Sequence, residues 1–353
     1  MKVNPLIRSH IYNFNPYSID EQSTDKKVIR LNTNENPYPP SSKVLSQIKK
    51  ATGKQLRLYP DPYATNLRKK LAALHNVSIQ NIVVGNGIDE LIGLAIRTFV
   101  DPGKLVQHFI PSYSFYSVAA QIHNAAVNEI PLDPSFSYPS PDNLINHTTW
   151  KTDAALTILT HPDSPTGYWH PLGHTQQICN MQTGVVLIDE AYIEFTNCNT
   201  TLALTSQYPH VLTARTFSKA YSLCSQRVGY LIGNAELINA IHKIRDCNNV
   251  NYLGQIAAEA TLDNLPYYEK NIKRIVETRN QTSLELIELK CEVVPSHANF
   301  LLVRLPVGCA LVWREYLRNT NILVRWLDTP LTRDYLRITI GTPKQMKAVI
   351  QAI

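Results

Sequence analysis

The sequence predicts an α/β protein: a large domain with a mostly parallel seven-stranded sheet, plus a smaller α+β domain towards the C-terminus. Three observations lead there. From about residue 80 to 233, short β-branched runs alternate with amphipathic stretches, the pattern of a parallel sheet covered by helices. From 235 to 289 the apolar period is helical, and three more strand-like runs follow. The 353 residues, at roughly 150 per domain, leave room for two cores.

In chain order, residues 1–45 are rich in Asn, Pro and Tyr and lack a period, so they are expected to be an extended arm that packs on the small domain. The large domain is assigned to 46–245. Its strands are expected at 81–85, 104–109, 126–132, 154–160, 185–189, 211–216 and 228–232, each a short run dominated by apolar and β-branched residues and bounded by turn residues. The small domain is assigned to 246–353, with strands at 299–304, 322–325 and 336–340 between helical stretches.

Composition excludes several classes. With 44% hydrophobic and 18% charged residues, the chain reads as an ordinary globular protein and not as a disordered one or a fibre. The net charge of +6 is scattered; the tightest basic groups are Lys26-Lys27, Lys49-Lys50 and Arg68-Lys69-Lys70, so no nucleic-acid partner is expected. A mild positive bias suits an anionic small substrate. The six cysteines are dispersed without a Cys-x-x-Cys pair, so no metal site is expected and a reduced compartment is. The chain shows no signal-like stretch and no run near the ~18 apolar residues that span a bilayer, so no membrane partner is expected and the location expected is cytoplasmic.

The most informative stretch is Thr216-Phe217-Ser218-Lys219-Ala220, followed by Arg227. A lysine just beyond a buried strand, flanked by hydroxyls and an arginine, can form an imine with an aldehyde cofactor while its neighbours hold a phosphate. An exposed lysine at a strand end reads the same. Thirty residues earlier, the apolar run 185–188 ends in Asp189-Glu190-Ala191-Tyr192. A carboxylate at the C-terminal edge of a parallel strand projects into the crevice where open α/β sheets bind ligands. It can hold a pyridine nitrogen protonated, although a strand-terminating Asp or a magnesium ligand would look alike. The turn Gly85-Asn86-Gly87-Ile88 leads from a strand into a helix, whose first amides suit a phosphate. A proline-rich turn, His161 to Gly167, follows another strand. A nicotinamide fingerprint is excluded, because Glu90 stands where its third glycine would be.

Taken together and in order, these residues resemble the fold-type I pyridoxal-phosphate aminotransferases, most closely the histidinol-phosphate aminotransferases. Also part of the resemblance are Leu31 to Tyr38, Tyr59 to Pro62, Pro111-Ser112-Tyr113, Pro165-Thr166-Gly167, Ala298-Asn299-Phe300, Ile322 to Arg325 and Leu336 to Thr342. The resemblance implies pyridoxal 5'-phosphate as cofactor and three catalytic residues, Lys219, Asp189 and Tyr192. Lys219 would be tether and proton carrier, Asp189 the partner of the pyridine nitrogen, and Tyr192 a donor to the 3′-oxygen. Tyr113 would stack on the ring and Ser164 would stand beside the 3′-oxygen. Gly87, Ile88, Thr216, Ser218 and Arg227 would hold the phosphate, with Tyr59 reaching over from a second subunit in a homodimer with shared sites. Tyr17, Arg325 and Arg337 would bind substrate. The activity implied is transfer of an amino group from histidinol phosphate, or a related phosphorylated amine or amino acid, to 2-oxoglutarate. Another reaction of the same cofactor, such as decarboxylation of a phosphorylated amino acid, and a non-catalytic cofactor-binding protein are the alternatives.

The chain departs from the family pattern in a few places. Ser164 stands where the family usually has Asn before Pro-Thr-Gly, and the lysine-to-arginine segment carries Ser222 and Ser225 where glycines are usual. If those glycines serve a positive φ, the serines imply a changed loop. Cys247-Asn248-Asn249 replaces the usual Pro-Tyr-Asn.

Overall fold

A computed structural model describes residues 4, 6–12, 14, 16–17, 21–146 and 149–353. Among these, the strands are β1 (Ile29–Leu31), β2 (Ile82–Gly85), β3 (Leu105–Ile110), β4 (Ala126–Pro131), β5 (Leu156–Thr160), β6 (Val185–Asp189), β7 (Val211–Thr216), β8 (Gly229–Gly233), β9 (Glu292–Val294), β10 (Phe300–Arg304), β11 (Ile322–Trp326) and β12 (Leu336–Thr339). The ten expected strands all form, within two residues of their expected limits. The two additional ones, β1 and β9, have three residues each, too few for any period to show.

Seven strands form the large sheet in the order β2-β8-β7-β6-β5-β3-β4. The pairs from β7 to β4 are parallel, whereas β8 runs antiparallel to both its neighbours. β2, β5, β7 and β8 are buried at every residue, which is why they read as runs dominated by apolar and β-branched residues without a polar face. Each buried Val, Leu or Ile there contributes about 1.5–3 kcal/mol relative to exposure. The edge strand β4 is mostly exposed, and Glu129 and the terminal Pro131 discourage further strand pairing.

This topology places the chemistry at one edge. Thr160 pairs with Asp189 and Asp189 with Ala214, so the ends of β5, β6 and β7 lie side by side. Gly229 pairs with both Gly85 and Thr216, which brings the turn after β2 against the end of β7. A Cβ at Gly229 would lie 3.0 Å from the Gly87 carbonyl carbon and the Ile88 nitrogen, so only glycine lets that turn sit this close.

The second sheet has the order β1-β11-β12-β10-β9. β1 is parallel to β11, so the N-terminal segment is tied to the C-terminal sheet. The arm is not wholly extended: Ser9–Tyr12 form a helical turn, and His10 Nε2 lies 3.4 Å from the Ile122 carbonyl oxygen. The expected helical stretch is three helices, Ala235–Ile244, Tyr252–Leu262 and Leu265–Glu288. The first two open on Asn234 and Asn251, whose side chains accept from Glu236 N–H and Gly254 N–H, and the third has a proline in its first turn. One apolar core runs continuously beneath both sheets, from Leu31 through Tyr192 and Phe300 to Ile338. No helix among the described residues is long and apolar enough to cross a membrane.

Candidate functional site

A cleft opens at the C-terminal edge of the large sheet, between it and the second sheet, which is where open α/β sheets bind ligands. Asp189, the last residue of β6, forms its floor and is 3% exposed. The Tyr116 hydroxyl donates to Oδ2 at 2.7 Å and the Ala191 N–H to Oδ1 at 2.9 Å. Burial nevertheless pushes Asp189 up to about 6, against the pull of those hydrogen bonds. A buried carboxylate so placed is stabilised by a cationic partner.

Lys219 stands in the loop after β7. Its Nζ donates to the Thr33 carbonyl at 3.2 Å and lies 5.9 Å from the centre of the Tyr192 ring. The segment after β1 fixes the lysine's backbone, because Asn36 Nδ2 donates to the carbonyls of Lys219 and Ala220 at 3.0 and 3.1 Å. The loop also answers the question raised by its serines. Ser222 keeps a left-handed φ of 58° and its hydroxyl is buried without a partner, so the turn is preserved at a local cost.

The phosphate-sized end is built from the turn after β2. Gly87 has φ 88°, and the helix Ile88–Phe99 begins there with Asp89 and Glu90 in its first turn. A Cβ at Gly87 would lie 2.6 Å from Arg227 Nη2, so a glycine is required for the guanidinium to approach the helix N-terminus. Arg227 Nη2 donates to Asp89 Oδ2 at 2.9 Å, and Tyr113 donates to Asp89 Oδ1 at 3.0 Å. Thr216 and Ser218 line the same end; the Thr216 hydroxyl accepts from Ser218 N–H at 3.0 Å.

The outer wall carries two cations. Arg337 on β12 pairs with Arg325 on β11. Arg337 Nη2 donates to the Asn32 carbonyl at 2.8 Å, while its Nε is buried without a partner. Burial lowers the pKa of both arginines; for Arg325 the charge of Arg337 adds to it. Tyr17 stands edge-on to Tyr113 and Phe115, with ring centres 6.0 and 6.3 Å apart.

The structure thus brings Tyr17, Ile88, Tyr113, Ser164, Asp189, Tyr192, Thr216, Ser218, Lys219, Arg227, Arg325 and Arg337 into the lining of one cleft, with Gly87 against Arg227. Tyr59 is not among them; it is 88% exposed on the outside of this chain. The residue-by-residue reading did not single out Thr33, Asn34, Asn36, Asp89 or Tyr116. The two asparagines lie within the stretch Leu31 to Tyr38, where their alternation with Thr33 and Glu35 was the available signal. Tyr116 lies in the first turn of the helix Phe115–Ile122, three residues after Tyr113.

This set of groups fits pyridoxal phosphate: an amine, a buried carboxylate, and a helix N-terminus beside an arginine. The comparisons with known proteins point the same way. A histidinol-phosphate aminotransferase of Clostridium botulinum (strain Okra / Type B1) is 35% identical over 345 residues, 97% of this chain and 95% of that protein. Histidinol-phosphate aminotransferase 2 of Psychrobacter arcticus is 36% identical over 365 residues, 99% of this chain and 95% of that one. The crystal structure of histidinol-phosphate aminotransferase from Sinorhizobium meliloti in complex with pyridoxal-5'-phosphate superposes with a TM-score of 0.90 at 24% identity, covering 99% of this chain and 97% of that one, and shows a shared fold. The family model for aminotransferase class I and II matches residues 26–353, across both sheets and every wall of the cleft except Tyr17, and to that family the chain belongs.

Proposed function

We propose that this aminotransferase takes its amino group from histidinol phosphate and delivers it to 2-oxoglutarate, using pyridoxal phosphate. The donor's C–NH2 becomes C=O and the acceptor's 2-oxo group becomes C–NH2, so the exchange needs no outside oxidant. The observation that carries the reading is the paired arginines, Arg325 and Arg337, on the wall of the cleft that also holds Lys219. Relatives that share about 35% identity along nearly the whole chain carry the name of this activity.

When bound, pyridoxal phosphate supplies an aldehyde carbon and an electron-withdrawing ring. Lys219 would tether that carbon, and its amine is placed to carry a proton to and from the substrate carbon. Asp189 holds the ring nitrogen as a cation, which also relieves its own burial. Tyr192 would donate to the ring oxygen, with Ser164 beside it and Tyr113 on the ring face; all three line the cleft. The amides at Gly87 and Ile88, the hydroxyls of Thr216 and Ser218 and the guanidinium of Arg227 hold the phosphate. Arg325 and Arg337, with Tyr17, grip the donor's phosphate and then the acceptor's carboxylate, both anions suited to a planar guanidinium fork.

Tyr59 acts in a second copy of the chain, completing the phosphate site of a homodimer. The support is its exposure together with that of Leu56, Leu58 and Tyr63, four large apolar or aromatic side chains exposed within residues 56–63.

The test is the visible absorption of the protein mixed with pyridoxal phosphate, before and after histidinol phosphate is added without a keto acid. A visible band that is absent from Lys219→Ala and bleaches with histidinol phosphate supports the reading. A band that ignores this donor refutes the substrate, and no band refutes the cofactor roles assigned to these residues.

A further inference from the structure

Tyr192 carries one hydroxyl proton, and the structure shows what decides where it points. Asn34 Nδ2 donates to the Tyr192 oxygen at 2.9 Å, and among the described residues nothing else hydrogen-bonds that hydroxyl. With one lone pair occupied by an amide donor, the proton of Tyr192 is left for another acceptor. The amide's orientation is held from behind. The Thr339 hydroxyl accepts from Asn34's own N–H at 3.0 Å and donates to Asn34 Oδ1 at 3.0 Å, so the nitrogen end faces the tyrosine. Asn299 Nδ2 donates to the Asn34 carbonyl at 3.1 Å. Asn34 is 2% exposed, and its φ of 56° is a conformation that asparagine tolerates better than most residues. It follows β1 directly, so the second sheet aims a donor at the catalytic tyrosine of the first.

We infer that Asn34 is a positioning residue: it holds Tyr192 as a hydrogen-bond donor to the ring oxygen of the bound cofactor, an inference that rests on the role proposed above for Tyr192. The arrangement matters more here because Ser164 replaces the longer Asn usual at that position, leaving Tyr192 as the better-placed donor to that oxygen. The other charged or titratable groups facing Tyr192 are Lys219 from the loop after β7, Arg337 from β12 and Tyr113. A donor on the ring oxygen disperses negative charge that would otherwise retain a proton on the neighbouring Lys219 nitrogen. The chromophore then loses that proton at lower pH than it would without the donor.

The experiment is a pH titration of the visible band formed with pyridoxal phosphate, read by absorbance and independent of turnover. Asn34→Gly, which keeps the backbone conformation, is expected to raise the midpoint by about one pH unit, a tenfold change in the proton equilibrium. On top of Tyr192→Phe the same substitution is expected to move it by less than about a third of that. An unchanged midpoint, or equal shifts in both backgrounds, overturns the proposal. Asn34→Asp keeps the shape and the tolerance for left-handed φ but accepts the tyrosine's proton; it too must raise the midpoint, and a midpoint indifferent to it overturns the proposal even if the glycine variant does not fold. A native chain that gives no visible band overturns the underlying reading and this inference with it, whereas a band indifferent to Asn34 overturns this inference alone.

Discussion

Asp189→Asn removes the charge from the cleft floor while keeping the side chain's shape, and its effect on stability has a calculable sign. Burial moves Asp189 from the ordinary 3.8 to about 6, so the native chain binds that proton more tightly than the unfolded chain does. Stability from this group is therefore greatest below the unfolded value and is lost as pH rises from about 4 to about 6. Above that range, holding the carboxylate ionised in the cofactor-free protein costs on the order of 3 kcal/mol. The asparagine variant should thus be more stable than the native chain at about pH 8, by up to that amount, and the difference should vanish near about pH 4. Urea unfolding of both cofactor-free proteins across this range measures it. Glu194, pushed up to about 7 by burial, adds a slope of its own that cancels in the comparison, whereas Asp163, pushed up to about 7 by burial and also raised by the charge of Asp189, titrates lower in the variant and adds to the difference in the same direction. With pyridoxal phosphate bound the order reverses, because the native carboxylate gains a cationic partner that the amide cannot match. A cofactor-free variant less stable than the native chain at about pH 8, or a difference that does not change with pH, would refute the argument.

Three further outcomes follow from the geometry. Ser222→Gly relieves a left-handed φ of 58° and an unpartnered buried hydroxyl; the net gain is about 1 kcal/mol after the added flexibility of the unfolded chain, and a lower urea midpoint would count against it. Arg337→Lys loses the planar fork, so KM for 2-oxoglutarate should rise about 10- to 100-fold with little change in the visible band; equal loss in both would mean that Arg337 serves the fold. Glu190 is 0% exposed and accepts from Arg215 Nη2 at 2.7 Å and from the Thr200 and Thr201 hydroxyls at 2.8 and 2.9 Å. Glu190→Gln should cost about 3–5 kcal/mol in unfolding free energy, since it leaves Arg215 buried without its main partner; a cost below about 1 kcal/mol would contradict that.

Where the fold was legible, one physical rule made it so. Strands buried on both faces, such as Leu156–Thr160 and Val211–Thr216, are rich in apolar and β-branched residues and stand out between helical stretches. Ile29–Leu31 did not stand out, because it is held by its partner Ile322–Val324 and not by a pattern of its own. The cleft was legible through groups whose chemistry is local to a motif: Lys219 after its strand, Asp189 at the end of another, Gly87 before a helix. Asn34 and Tyr116 were not, since each acts on a residue more than seventy positions away, and only the packing of the sheets brings them together. Ser222 shows the reverse case. The sequence implied a changed loop if the usual glycines serve a positive φ, yet Ser222 itself adopts a left-handed φ of 58°, and Lys219 stays beside Thr33 and Asn36.

The charges of the cleft form a template for an occupant of mixed sign. At its floor a lone carboxylate, Asp189, is held by neutral donors; at the helix end Arg227 leans on Asp89; on the outer wall Arg337 hydrogen-bonds a backbone carbonyl with one nitrogen left unpartnered. The contacts of Asp189 and Arg337 are with neutral groups and so are weaker than a charge pair in the same buried place, whereas Arg227 already has a carboxylate partner that an anion at the helix end would share. A cation over the floor, an anion at the helix end and a second anion on the wall would improve all three together. Pyridoxal phosphate brings the first two, and a phosphorylated amine or a dicarboxylate brings the third. The wall is the discriminating part: Arg325 and Arg337 stand at paired positions of β11 and β12, and an amine without a second anion brings no counter-charge to them. On the proposed reading, discrimination between donors rests on the attraction between that wall and a second anion. Donor amines stripped of their phosphate should accordingly lose affinity more steeply at low salt than at high salt, because salt screens the attraction that the phosphate contributes.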